Sequence, residues 1–201
     1  MTQFFKLGAS GATRVHVIDG MRVDRVCFAC APEGRQPRRP HGTVEIQRAD
    51  RSSELPDTLA CDTPLLLVSQ RVLDDWRDAG IGDVPAERVV GLDNDYFRID
   101  GGRMSGAKVD FDASGFVDVR FCAECGTRTD NVTETTKRHY SWTWPTVIVE
   151  GSWTGAHLFT TDISPAAFFC TDLVVECARR GRHTNFRFVP IDEPGTQIKY
   201  L

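Results

Sequence analysis

Apolar and polar positions follow each other in short alternating runs over much of the chain, a pattern that predicts strands more often than helices. Phe4-Phe5, Val15 to Ile18 and Val23 to Val26 are three such runs near the N-terminus. Pro64 to Val68 is apolar throughout, as a buried strand requires. Ser69 stands where a helix N-cap belongs, and Val72, Leu73, Trp76 and Ala79 fall on one face of a helix covering roughly Gln70 to Ala79. Gly80 then ends that helix, and apolar character resumes from Glu87 to Leu92. Strand-like pieces follow at Tyr96 to Ile99, Val109 to Phe111 and Phe116 to Phe121, with Gly101, Gly102, Gly106 and Gly115 as turns. Trp142 to Glu150 and Gly151 to Thr160 return to strand character.

The apolar run, helix and glycine recur near the C-terminus. Sliding the first segment by 101 positions places Ser69 on Cys170, Val72 on Leu173, Trp76 on Cys177 and Gly80 on Gly181. This predicts two strand–helix–strand units, one per half. Ser164-Pro165 is also an N-cap and first-turn pair, so the second helix starts either there or near Thr171. The expected class is α+β, a mostly antiparallel sheet with two main helices. Residues 1–201 form a single domain on this reading, or two lobes, 1–100 and 101–201.

Composition narrows the function classes. The hydrophobic fraction of 41% reaches an ordinary globular level once the 17 glycines are added. A net charge of −4 argues against a general nucleic-acid binder, which normally carries a basic excess. No window approaches 18 consecutive apolar residues, and the N-terminal apolar run is too short for a secretory signal, so a cytoplasmic protein with no membrane partner is expected. Thiols stay reduced in that compartment, and seven cysteines suit a disulfide framework poorly.

Two Cys-x-x-Cys motifs, Cys27-Phe28-Ala29-Cys30 and Cys122-Ala123-Glu124-Cys125, carry the strongest chemical signal. Zinc takes four thiolates in a tetrahedron, and each such turn supplies two without strain. Both motifs close a predicted strand, as in a pair of zinc knuckles, and one structural zinc held by Cys27, Cys30, Cys122 and Cys125 would bridge the two lobes. Free structural thiols are the alternative. A thioredoxin-like pair needs a helix behind its motif, and neither site has that pattern. A zinc deaminase needs an upstream His-x-Glu, whereas the upstream histidines read His16-Val17-Ile18 and His41-Gly42-Thr43. Cys61, Cys170 and Cys177 read as core or near-surface thiols.

Other chemistry is sparse. The five histidines show no metal spacing, the glycines form no phosphate loop, and no nucleophile elbow is present, so no enzyme is expected. Residues 31–42, APEGRQPRRPHG, read as a basic loop, and Arg35, Arg38 and Arg39 would be its phosphate contacts if the chain were a zinc-ribbon nucleic-acid or regulatory module. Tyr140, Trp142, Trp144 and Trp153 are dense enough in aromatics to pack a sheet or to anchor a partner.

The two separated Cys-x-x-Cys motifs, with Gly126 after the second, resemble the double-CxxCG family known from myxobacteria. The phrase Leu66-Leu67-Val68-Ser69-Gln70 to Ala79-Gly80-Ile81, with Thr184 to Phe188 closing its partner, is similar to immunity proteins of bacterial polymorphic-toxin systems. Ala31 stands where the family has its first glycine. The resemblance implies a zinc-stabilised protein that binds and neutralises a cognate toxin.

Overall fold

The computed structural model describes residues 2–10, 14–19, 22–25, 38–41, 43–49, 54–61, 65–93, 95–116, 119–124, 145–162, 164–192 and 198–199. Among the described residues two helices and two six-stranded sheets dominate, and all but two of the named strand pairs are antiparallel, so the class is α+β as expected. The first sheet contains β2 (Arg14–Asp19), β5 (Glu45–Arg48), β6 (Thr58–Cys61), β7 (Leu67–Ser69), β8 (Ala86–Arg88) and β9 (Tyr96–Ile99), in the order β5-β2-β6-β7-β9-β8. The second contains β1 (Phe4–Ala9), β10 (Gly106–Ala107), β11 (Leu158–Thr161), β12 (Ser164–Thr171), β13 (Phe186–Pro190) and β14 (Ile198–Lys199), in the order β10-β11-β12-β1-β13-β14. A separate ribbon pairs β3 (Arg22–Arg25) with β4 (Arg38–His41).

The two strand–helix–strand units are real. Helix α1 (Gln70–Asp78) joins β7 to β8, and α2 (Asp172–Gly181) joins β12 to β13. In each unit one further strand lies between the joined strands and antiparallel to both: β9 in the first, β1 in the second. Their true offset is 102, one more than the sequence slide gave. The N-caps are Ser69 and Thr171, and the buried helix positions Val72 and Trp76 match Val174 and Ala178. A slip of one residue rotates a helical position by about 100° and reverses a strand position, so the pairing of Trp76 with Cys177 is corrected to Trp76 with Ala178. The second helix starts after Thr171; Ser164-Pro165 opens β12 instead.

Gly181 also does something other than expected. It is the last helical residue, and the left-handed cap is Arg182 at φ 51°. A Cβ on Gly181 would sit 2.5 Å from His183 Nε2 and 2.9 Å from Asp75 Oδ2, so close packing demands the glycine. Two further readings change. Residues 38–41 of the expected basic loop form β4. Phe116, Val119 and Arg120 form no strand, because residues 110–115 fold into a turn, with Ser114 N–H donating to Asp110 O and Phe116 N–H to Phe111 O.

One shared core joins the halves. Phe5 and Leu7 of β1, Val68, Val72, Trp76 and Ile99 of the first half, and Phe168, Val174, Ala178, Phe186 and Phe188 of the second all belong to it. Each sheet buries its other face separately: Val15, Ile46, Leu59, Leu67 and Tyr96 in the first, Phe159, Phe169 and Ile191 in the second.

Candidate functional site

Cys122 is half-buried and begins a turn through Ala123 and Glu124, directly after Phe121, which makes an isolated bridge. Its proposed fellow ligands Cys27, Cys30 and Cys125 lie outside the described residues, although β3 ends at Arg25, two positions before Cys27. Among the described residues no group of three or more His, Cys, Asp or Glu side chains forms a metal-binding cluster. Tyr140, Trp142 and Trp144 likewise lie outside them. Trp153 is half-buried: its ring meets Phe4 edge-on at 5.2 Å, and its indole N–H donates to Ala156 O at 2.9 Å.

Among the described residues, a dense polar cluster forms that the sequence did not suggest. Asp57, just before β6, is buried and accepts hydrogen bonds from Ser69 Oγ (3.0 Å), Arg71 Nε (3.0 Å), Arg71 Nη2 (2.5 Å), and Thr184 N–H (2.8 Å) and Oγ1 (3.0 Å). Arg71 also donates to Gly181 O at 2.9 Å. Burial pushes the Asp57 carboxyl up, but the hydrogen bonds from Arg71 and Thr184 together outweigh it and hold the group below its ordinary range. Asn185 continues the seam: its Nδ2 donates to Thr58 O at 2.6 Å and its Oδ1 accepts from Ser10 Oγ at 2.5 Å. A second link joins His183 Nε2 to Asp75 Oδ2 at 2.6 Å, where His183 is fully buried. Nearby, the Cys177 thiol donates to Asp75 O at 3.5 Å, and burial raises its pKa. These groups tie α1 and β6 of the first half to the end of α2 in the second.

The unit repeat explains where Asp57 comes from. His157 stands before β11 as Asp57 stands before β6. Thr171 N–H donates to His157 O (2.9 Å) as Ser69 N–H donates to Asp57 O (2.8 Å). Each N-cap hydroxyl is turned away from its helix, Ser69 Oγ to Asp57 and Thr171 Oγ1 to His157 Nδ1 at 3.0 Å. Two buried cations repeat as well. Lys6 lies between Phe169 and Val189 in the second sheet, and Arg98 between Leu67 and Glu87 in the first. Arg98 pairs with Glu87; burial lowers Lys6 to about 8.

Beside β10 and β11 an open groove of about 620 Å³ is lined by Lys108, Val149, Glu150, Ser152, Thr160 and Asp162 among others. No helix among the described residues is long and apolar enough to cross a membrane. Compared with family models and with curated proteins, the chain matches none.

Proposed function

We propose that this chain is a zinc-clasped cytoplasmic immunity protein that binds and neutralises a cognate toxin. The observation that carries the clasp is the setting of Cys122, a half-buried thiol that opens a tight turn where bridged chain ends. A knuckle needs that placement, because the turn must present two sulfurs to one ion. Cys122 has the donor chemistry of a thiolate ligand, and Cys27, Cys30 and Cys125 would complete the tetrahedron. The zinc would tie the β3 end of the chain to the segment after Phe121, and the resemblance supplies the partner class.

Metal analysis of protein purified without chelator tests the clasp, and co-expression with the toxin tests the protection. The expected result is one zinc per chain, lost in both Cys27→Ser and Cys122→Ser, with cells surviving only when the chain accompanies the toxin. Metal that persists in either variant rules out a shared site; unprotected cells rule out immunity.

One observation favours a second reading, a zinc-ribbon nucleic-acid module. The β3–β4 register sets Arg25 beside Arg38 and brings Arg22 and Arg39 into the same small ribbon, just before Cys27. Salt-dependent retention on DNA that weakens in Arg38→Ala and Arg39→Ala would support that module; indifference to salt would remove it.

A further inference from the structure

We propose that Phe121, Val147 and Val149, together with the groove beside them, form the docking surface for a basic protein partner; this rests on the immunity reading above. Five large apolar side chains stand exposed among the described residues, and three of them are these, at 50%, 40% and 39%. Residues 108–111 link the two segments that carry them. Val149 N–H donates to Lys108 O and Asp110 N–H to Val147 O, both at 2.9 Å, so residues 147–149 run alongside 108–110. Ile148 packs inward on the second sheet's outer core, which leaves Val147 and Val149 on the outward side. The Phe121 ring sits 5.6 Å from that of Phe111, next to Asp110.

The rim gives the partner its charge. Glu124 and Glu150 are exposed and follow the patch residues closely along the chain, and Asp112 is exposed beside the segment that 147–149 runs along, against exposed Lys108 and Arg120. Val149 and Glu150 also line the groove, where Asp162 adds a further exposed carboxylate. An apolar anchor on the patch with an Arg or Lys side chain reaching Glu150 and Asp162 matches how interfaces concentrate their binding. The chain's net charge of −4 steers a basic partner in the same sense.

The test uses the full chain and a catalytically inactivated cognate toxin domain, with affinity and association rate measured at low and high salt. Phe121→Asp, and Val147→Asp with Val149→Asp, should each weaken binding by about 100-fold, with thermal melting showing that the variants stay folded. Glu150→Lys should slow association by roughly 3-fold to 10-fold and flatten its salt dependence. Wild-type binding that ignores the patch variants overturns the docking surface and leaves the immunity reading standing. No wild-type binding overturns both. A dimer of this chain that Phe121→Asp dissolves overturns the proposal differently, by making a second copy the occupant.

Discussion

The two halves are built from the same unit and end as different objects. In the second half, among the described residues, β10 and β14 are the edges of the sheet. In the first, the chain after β8 turns back onto β5: Ile46 N–H donates to Val90 O at 2.9 Å and Val90 N–H to Val44 O at 3.0 Å, which closes six strands into a barrel-like ring. The central strand also differs in origin. β9 follows β8 along the chain, whereas β1 reaches the equivalent slot from the opposite end of the sequence. The hydrogen bonds are nonetheless the same: Gln70 N–H to Asp95 O matches Asp172 N–H to Gln3 O, and Val89 N–H to Tyr96 O matches Ile191 N–H to Phe4 O. The slot is defined by its flanking strands and helix. Whatever strand satisfies its backbone groups can fill it, because a ladder reads donors and acceptors and ignores chain order.

If the halves truly share one core, the largest effect comes from that core. Trp76 is fully buried and lies 6.3 Å from Phe186 of the other half. Trp76→Ala should cost about 3–5 kcal/mol and lower a single unfolding transition in urea. A first-half probe melting well before a second-half probe would show two independent lobes.

Closure is the next point to break. Gly91 has φ +95°, and a Cβ there would lie 2.2 Å from Ile46 O, a backbone atom that cannot step aside. Gly91→Ala should destabilise by roughly 3 kcal/mol from strain and overpacking combined. Hydrogen exchange should show the loss first at Ile46 and Val90, with the second sheet protected as before.

Smaller effects separate the paired polar positions. Asp57→Asn removes the charge that Arg71 faces and should cost about 2 kcal/mol by thermal melting at neutral pH. Its folded pKa is depressed, so the unfolded chain takes up the proton first as pH falls. The stabilisation is full above the ordinary carboxylate value of about 3.9 and disappears as pH drops below it through the folded value. In Asp57→Asn that part of the acid dependence should vanish.

Lys6 shows the same sign of pH dependence in a more alkaline window. Its folded pKa of about 8 lies below the ordinary lysine value near 10.4, so between them the unfolded chain binds more protons and stability rises with pH. Lys6→Met should flatten that rise, read as the pH dependence of the thermal melt over the same interval. Replacing the equivalent Arg98, which pairs with Glu87, by Met should leave the rise in place. A rise that also flattens in Arg98→Met would trace it to another group.

The fold class, the strand at residues 67–69, both helices and the existence of a repeat were legible in the chain. Each is a local signal: an apolar run, a 3.6-residue face, a hydroxyl before a helix. Two hydroxyl N-caps, Ser69 and Thr171, even fix the offset of 102 once the second helix is placed. Asp57 gave no such signal. Its partners Arg71 and Thr184 lie 14 and 127 residues away, and Ser69, the expected helix cap, turns its hydroxyl to Asp57 instead. Nor could the pattern show that β1 would complete the second unit, that Gly91 would close the first sheet, or that residues 147–149 would run alongside 108–110. Those are contacts between distant segments, decided by which backbone and side-chain groups the folded chain brings within reach. Local sequence therefore determined the elements and the repeat of this protein, while tertiary packing alone decided how the halves lock, which one closes, and where the candidate docking surface lies.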